Sequence, residues 1–449
     1  MPAPNTPATR SIPRPQILTT RAMAAFERFS HIEAVSGIVL MLAAITALVW
    51  ANSPANATYE AFWHTEVALS IGSITLAQSL HFLVNDGLMT IFFLVVGMEI
   101  KQEIQDGSLS NLRMATLPVG AALGGVLVPA AIYLAFNTSA TSHGWAVPTA
   151  TDIAFAVGVL ALLGKSIPAN LRIFLLALAI IDDIAAIVII AVFYTSTLDY
   201  SGLLIAGAGL GMVFALQRMG IGLAWAYLVP GVIVWSGLLK LGVHPTLAGV
   251  VLGLITPVKS MPSHERPVEI MSKAFNELLH RLDRDQKAIA SPLKQIRVAE
   301  REVMPPVLRV QQSLHPWVAF LIMPLFALAN AGVDLGGTRF DNSEVVHIVS
   351  GVVTALVLGK PVGVMLATFI LVRLGLCKLP DHVTWGGVAL VGLLAGIGFT
   401  MSIFIAGLAF NDAQQLAAAK LSVLGASTMA AVLGVLWGVV YIRRKGRVA

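Results

Sequence analysis

The stretch LLALAIIDDIAAIVII, residues 175–190, decides how this chain must be read. Fourteen of its sixteen residues are apolar, and the two at its centre are acids, Asp182 and Asp183. With its flanks, over 172–195, the segment is long enough to cross a bilayer's hydrocarbon core, which takes about 20 apolar residues. An ionisable group at that depth costs ~2.5–3.5 kcal/mol on insertion scales, so a pair of them points to function. The segment is a membrane helix with chemistry at its middle.

The rest of the chain agrees with that reading. Hydrophobic residues make up 57% of the 449 positions and charged residues 12%, half the ~25% of a soluble domain; the mean hydropathy is +0.81. Soluble enzymes, disordered regulators and disulfide scaffolds are excluded, and the lone Cys377 cannot form an internal disulfide. Apolar segments at 32–51, 80–100, 116–137, 146–163, 172–195, 201–217, 221–240, 243–257, 316–333, 345–372, 386–410 and 416–442 give twelve expected spans, the eighth of them short. Basic residues test the count. Twenty-five of the twenty-nine fall in alternate connections and both tails, Lys240, Arg339 and Lys420 fall opposite, and Lys360 lies inside a span. By the positive-inside rule both termini are expected in the cytoplasm. The pI near 9.4 is then a topology signal rather than a sign of nucleic acid, and no nucleic-acid partner is expected.

These features divide the chain. Residues 1–31 read as a disordered cytoplasmic tail, 32–110 as two helices with a hairpin, and 111–200 as a first core repeat of helices 3–5. Residues 201–257 hold helices 6–8, 258–315 form a cytoplasmic linker with one or two surface helices, 316–344 hold helix 9, and 345–443 form a second core repeat, helices 10–12. VALSIGSITLA (67–77) alternates about Gly72-Ser73, which predicts a small extramembrane β-hairpin.

Four buried charges stand out: Asp152, Asp182, Asp183 and Lys360. Asp152 follows Pro148, Thr149 and Thr151 in AVPTATDIAFAVG, where regular helix is disfavoured. Lys360 paired with one aspartate can simply hold helices together. Adjacent aspartates, however, point about 100° apart on a helix, so one lysine does not readily neutralise both. One carboxylate is left facing a wet cavity, and its hard oxygens suit Na+ or H+ rather than a transition metal. LAGIGFTMSIFIAG (394–407) is a second interrupted span, with Thr400 and Ser402 supplying oxygens. The two triplets, helices 3–5 and 10–12, thus read as inverted copies, each with a broken helix in the middle, a pattern that points to a transporter's binding site. Where such half-helices cross, their ends carry partial charges. Asp152 is placed to compensate N-terminal ends, and Lys360 C-terminal ends.

Seven motifs in order, VNDGLMTIFFLVVGMEIKQE (84–103), ATDIAFAVGVLALLG (150–164), LALAIIDDIAAIVII (176–190), GVHPTLAGV (242–250), HPWVAFLIMPLFALANAGV (315–333), GKPVG (359–363) and GIGFTMSIFIAGLAF (396–410), resemble the Na+/H+ antiporters of the NhaA family over roughly residues 30–440. The resemblance implies an all-α polytopic membrane protein with about twelve helices, an inverted repeat, two crossing discontinuous helices and the β-hairpin. It implies that Asp183 is the principal Na+ ligand and proton carrier, with Asp182 beside it and pairing with Lys360 in at least one state. Thr151 and Asp152 would lie at the helix crossing, with Gly398, Thr400 and Lys360, and assist ion binding, Thr151 as a further Na+ ligand. The hairpin would be the dimerisation element of a homodimer in a bacterial inner membrane. Glu99 and Glu103 match acids tied to pH activation, with His315 a third candidate. Gln102, Gln311 and Gln312 depart from the family pattern and the 258–315 connection is longer than expected, which bears on the pH set point.

The mechanism these readings lead to is competition of Na+ (or Li+) and H+ for the Asp182/Asp183 site, opened to one side at a time. With Lys360 also releasing a proton, exchange would be electrogenic and pH-regulated, with cytoplasmic Na+ leaving as external H+ enters. No cofactor is expected, since both ions are transported substrates. A symporter of organic anions would want a roomier site, an intramembrane aspartyl protease a GxGD motif that does not occur, and a channel a pore-lining ring.

Overall fold

In a computed structural model the described residues are 33–71, 74–138, 140–195, 199–258, 267–281, 291–293, 296, 304–336 and 342–445. The 1–31 tail, the hairpin's turn residues Gly72 and Ser73, and parts of the expected linker (259–266, 282–290, 294–295 and 297–303) lie outside them.

Helix α1 (Glu33–Ala51) ends at an Asn52-Ser53-Pro54 break and the chain turns by 117° into the short α2 (Asn56–Trp63). Asn52 ties this corner down by donating to Val333 O (2.7 Å) and accepting from Leu335 N–H (2.8 Å). Tyr59 of α2 donates its hydroxyl toward Leu328 O and Ala329 O (2.9 and 3.0 Å). Strands β1 (Glu66–Ile71) and β2 (Ile74–Ser79) pair antiparallel with Glu66 opposite Ser79 and Ile71 opposite Ile74, the hairpin expected at 67–77.

Leu80–Phe82 and a π-helical turn, Leu83–Leu88, lead into α3 (Met89–Gln105). Then come α4 (Leu112–Phe136), a 3-10 segment Ser142–Thr149, α5 (Ile153–Leu162), α6 (Ala169–Phe193), α7 (Tyr200–Arg218), α8 (Leu228–Leu241), α9 (Leu247–Ile255) and the surface helix α10 (Pro267–Arg281). Helix α11 (Pro306–Trp317) passes through a π turn, Val318–Ile322, into α12 (Met323–Asn330). The second half holds α13 (Ser343–Thr354), a π turn Ala355–Gly359, α14 (Lys360–Arg373), α15 (Trp385–Ala395), α16 (Phe399–Ala409) and α17 (Ala413–Lys445).

Among the described residues nine helices are long and apolar enough to cross a membrane, and eleven spans result if each of two bent pairs counts as one. The eighth expected span, 243–257, is the nine-residue α9, about 14 Å long and too short to cross alone. His244-Pro245 at its start and Pro257 at its end cut it down. The ninth span is longer than its apolar run, because the amphipathic α11 extends it back to Pro306.

The burial pattern suits a hydrocarbon solvent. Leu204, Val192 and Leu127 point outward, while Asp152, Asp182, Asp183 and Lys360 are almost completely buried. At the centre α4 lies against α14. Gly124 and Gly363 meet there, where a Cβ on Gly124 would stand 2.3 Å from Gly363 O and one on Gly363 2.2 Å from Gly124 O. This small-residue contact lets two backbones touch, as membrane helix interfaces require. The two triplets share one order, a long helix, a broken helix and a long helix. The breaks, at 150–152 and 396–398, come together beside α6.

Candidate functional site at the crossing of two broken helices

Each break has a local cause. Pro148 and the threonines around it leave Ser142–Thr149 as 3-10 helix, and Ala150 is extended. At the other break, glycine's poor helix propensity at Gly396 and Gly398 ends α15 before α16 begins. The breaks interlock through the Asp152 N–H, which donates to Ile397 O at 2.7 Å. A Cβ on Gly398 would stand 2.1 Å from Ser402 Oγ and 3.2 Å from Ala150 O, so the approach needs glycine.

Broken helices expose N–H groups at one end and carbonyls at the other. One carboxylate answers both N-termini. Asp152 Oδ1 accepts from Phe155 N–H of α5 (3.0 Å), and Oδ2 accepts from the Thr400 N–H of α16 (3.1 Å) and from the Thr400 hydroxyl. Ser427 of α17 caps α16 a second time, accepting from Phe399 N–H at 3.0 Å. The carbonyl end of α15 is met by a hydroxyl, since Thr151 Oγ1 lies 2.9 Å from Ala395 O.

Lys360 follows the π turn, whose wide loop is closed by the Lys360 N–H on Ala355 O. The extra residue changes the face on which the following residues lie, and Lys360 enters the core with no exposure at all. Its ammonium donates to Asp182 Oδ2 (2.5 Å) and Thr151 Oγ1 (2.9 Å). Thr151 Oγ1 also lies 2.6 Å from Asp182 Oδ2. A hydroxyl has one proton, so Thr151 accepts from Lys360 and donates either to Asp182 or to Ala395 O. The lysine therefore reaches the C-terminal end of α15 only through Thr151, not directly as its sequence position suggested.

The charge balance leaves one group over. Lys360 offsets Asp182, and Asp152 sits on two helix N-termini. Among the described residues Asp183 has neither, and its Oδ1 is buried without a hydrogen-bond partner, as are Asp182 Oδ1 and Ser402 Oγ. Buried oxygens left unsatisfied are costly, and a carboxylate most of all. A proton or a hard cation relieves that cost.

The remaining candidates separate from this centre. Glu99, half-buried on α3, accepts from Gln311 Nε2 at 3.2 Å. Glu103 is engaged locally, its Oε1 accepting from the Ser108 N–H (2.7 Å) and hydroxyl. His315 is exposed near the end of α11. Sequence reasoning did not single out Ser427 as a cap; the Ser427-Thr428 pair within an apolar span was its only signal. Gln311 entered only as a departure from pattern, and its glutamate partner emerges from the packing of α11 on α3.

The profile of the Na+/H+ antiporter 1 family matches residues 27–437. The chain belongs to that family. It is 60% identical over 446 residues to a Na+/H+ antiporter NhaA of Janthinobacterium sp. strain Marseille, covering 98% of each chain. It is 60% identical over 436 residues to a Na+/H+ antiporter NhaA of Cupriavidus necator, covering 96% of this chain and 93% of that one. A Na+/H+ antiporter NhaA of Bartonella bacilliformis is 51% identical over 432 residues, 96% of both. Like its family, the chain is a multi-pass membrane protein.

Proposed function

We propose that this protein is a secondary transporter, not an enzyme, that exchanges Na+ for H+ across the membrane at the Asp182/Asp183 site. One observation carries the assignment of the site: Asp183 is fully buried beside the crossing without the offsetting partner that Asp182 and Asp152 each have. A buried carboxylate in that position must hold a proton or a cation, and holding either one excludes the other. That is the condition for exchange.

The finer mechanism follows from the bonds. Na+ is taken by carboxylate oxygens of Asp183 and Asp182, with Thr151 within reach, since hard oxygen donors suit it. Na+ arriving at Asp182 competes with the Lys360 ammonium for Oδ2. Loss of that partner favours release of a lysine proton, so more than one H+ leaves per Na+ and exchange is electrogenic. Alternating access then moves the crossing relative to the rest of the bundle, the motion characteristic of inverted-repeat transporters. Asp152 stays with the helix ends, both its oxygens being committed there. The same commitment disfavours a protease reading, which needs Asp152 and Asp183 free to share a water.

For pH regulation we assign Glu99 ahead of Glu103 and His315, because it lies on α3 against α6, the helix of the acid pair, and meets Gln311 of the ninth span. The inner-membrane, cytoplasmic-termini topology rests on the basic residues. Homodimerisation rests on the hairpin, whose two strands pair only with each other among the described residues, leaving an edge on each for a second copy to extend.

Dye-monitored ΔpH in membrane vesicles tests the reading, with Na+, Li+ or K+ added over a pH series. Na+ and Li+ should collapse ΔpH in wild type and not in Asp183→Asn; substantial exchange in that variant sinks the site assignment. Glu99→Gln should shift the pH profile more than His315→Gln.

A further inference from the structure

On the outer face of the second repeat, α14, α15 and α17 line an open groove of about 710 Å³, a volume within the ~300–1,000 Å³ of ligand sites. Val362, Leu366 and Phe369 form one wall and Trp385, Ala389 and Trp437 the other, and the lining is almost wholly apolar. Its aromatics are fixed. The Trp437 indole N–H donates to Gly386 O at 2.9 Å, and Phe369 and Trp385 lie with ring centroids 5.8 Å apart. Val362, Leu366 and Phe369 stay about half exposed on the side that faces hydrocarbon.

Charge distinguishes this groove from ordinary lipid-facing surface. Its aromatic end is where α14 and α17 finish and α15 begins. Arg373 lies four residues past Phe369, and exposed Arg443 and Arg444 lie six and seven past Trp437, about 6 to 10 Å further along each helix. Tryptophans at the interface level with arginines just beyond them mark the polar boundary of a bilayer, and basic residues there attract anionic headgroups. We infer that the groove is a binding site for one acyl chain of an anionic phospholipid, with Arg373, Arg443 and Arg444 receiving the headgroup.

The inner wall adds a consequence. Pro361, directly after Lys360, packs against Gly392, where a Cβ would stand 2.9 Å from Pro361 Cα. A chain seated in the groove therefore presses on the α14–α15 contact just outside the Lys360–Thr151 bond.

The test is native mass spectrometry of the full-length protein in detergent, titrated with dioleoylphosphatidylglycerol and dioleoylphosphatidylcholine in competition. Wild type should retain one phosphatidylglycerol per protomer in preference to phosphatidylcholine. Ala389→Phe, which puts a ring into the groove, should lose it. Arg443→Gln with Arg444→Gln should keep chain binding but reduce the preference by about fivefold per arginine. Equal retention of both lipids by wild type, or retention unchanged in Ala389→Phe, overturns the proposal. Should Ala389→Phe not yield folded protein, the arginine variant decides, and an unchanged preference there overturns it. A groove covered by a second copy of this chain would show no retained lipid and a dimer lost in Ala389→Phe, which also overturns it.

Discussion

Replacing Lys360 by Met removes a cation while nearly keeping the side chain's length. In the folded protein that ammonium is wholly buried, 2.5 Å from Asp182 Oδ2 and 2.9 Å from Thr151 Oγ1. Asp182 Oδ1 has no partner, so the variant leaves a carboxylate held by one hydroxyl. Breaking a buried pair by removing one partner costs about 3–5 kcal/mol, between two and four powers of ten in the folding equilibrium. Replacing the whole pair by apolar groups of similar volume is by contrast close to neutral. The double variant Asp182→Leu/Lys360→Met should therefore lie within about 1–2 kcal/mol of wild type, because the Thr151 hydroxyl still has Ala395 O to bond. Thermal unfolding in one detergent, at neutral pH and without Na+, measures all three. A single variant as stable as wild type, or a double variant no better than the single, refutes the reasoning.

Asp152→Ala strips the cap from α5 and α16 together. At about 1 kcal/mol per lost cap, it should cost about 2–3 kcal/mol in unfolding measurements, and Asp152→Asn less, because its one amide oxygen still caps one of the two helices. Thr151→Val leaves Ala395 O unsatisfied and Lys360 with Asp182 alone; a loss of about 1–3 kcal/mol is expected, with Na+ affinity weakened in the ΔpH assay. Gly124→Ala sets a methyl 2.3 Å from Gly363 O. Because that neighbour is backbone, α4 and α14 must part, and the protein should lose exchange while Gly407→Ala, with nothing within 4 Å, retains it.

What the sequence made legible was its exceptions. Asp152, Asp182, Asp183 and Lys360 are visible because an apolar chain has no other reason to carry charge at mid-span, and the two breaks because proline, threonine and glycine stand where helix should continue. The pairing of Lys360 with Asp182 came from the resemblance to the NhaA family and not from the local sequence. Lys360 faces Asp182 because a π turn at Ala355–Gly359 resets the helix face, and nothing in ALVLG announces such a turn. The double cap by Asp152 exists only once two breaks far apart in sequence meet. Helix ends misled for a related reason: hydropathy continues through 243–257, while prolines at both ends stop the helix.

The central claim is that Na+ and H+ occupy the same buried carboxylates in turn. It is met most directly by adding Na+ to the purified protein in weakly buffered detergent solution and measuring the protons that appear. The account predicts release of more than one H+ per Na+ bound in wild type, and none in Asp183→Asn. Na+ binding to the wild type without proton release would contradict it.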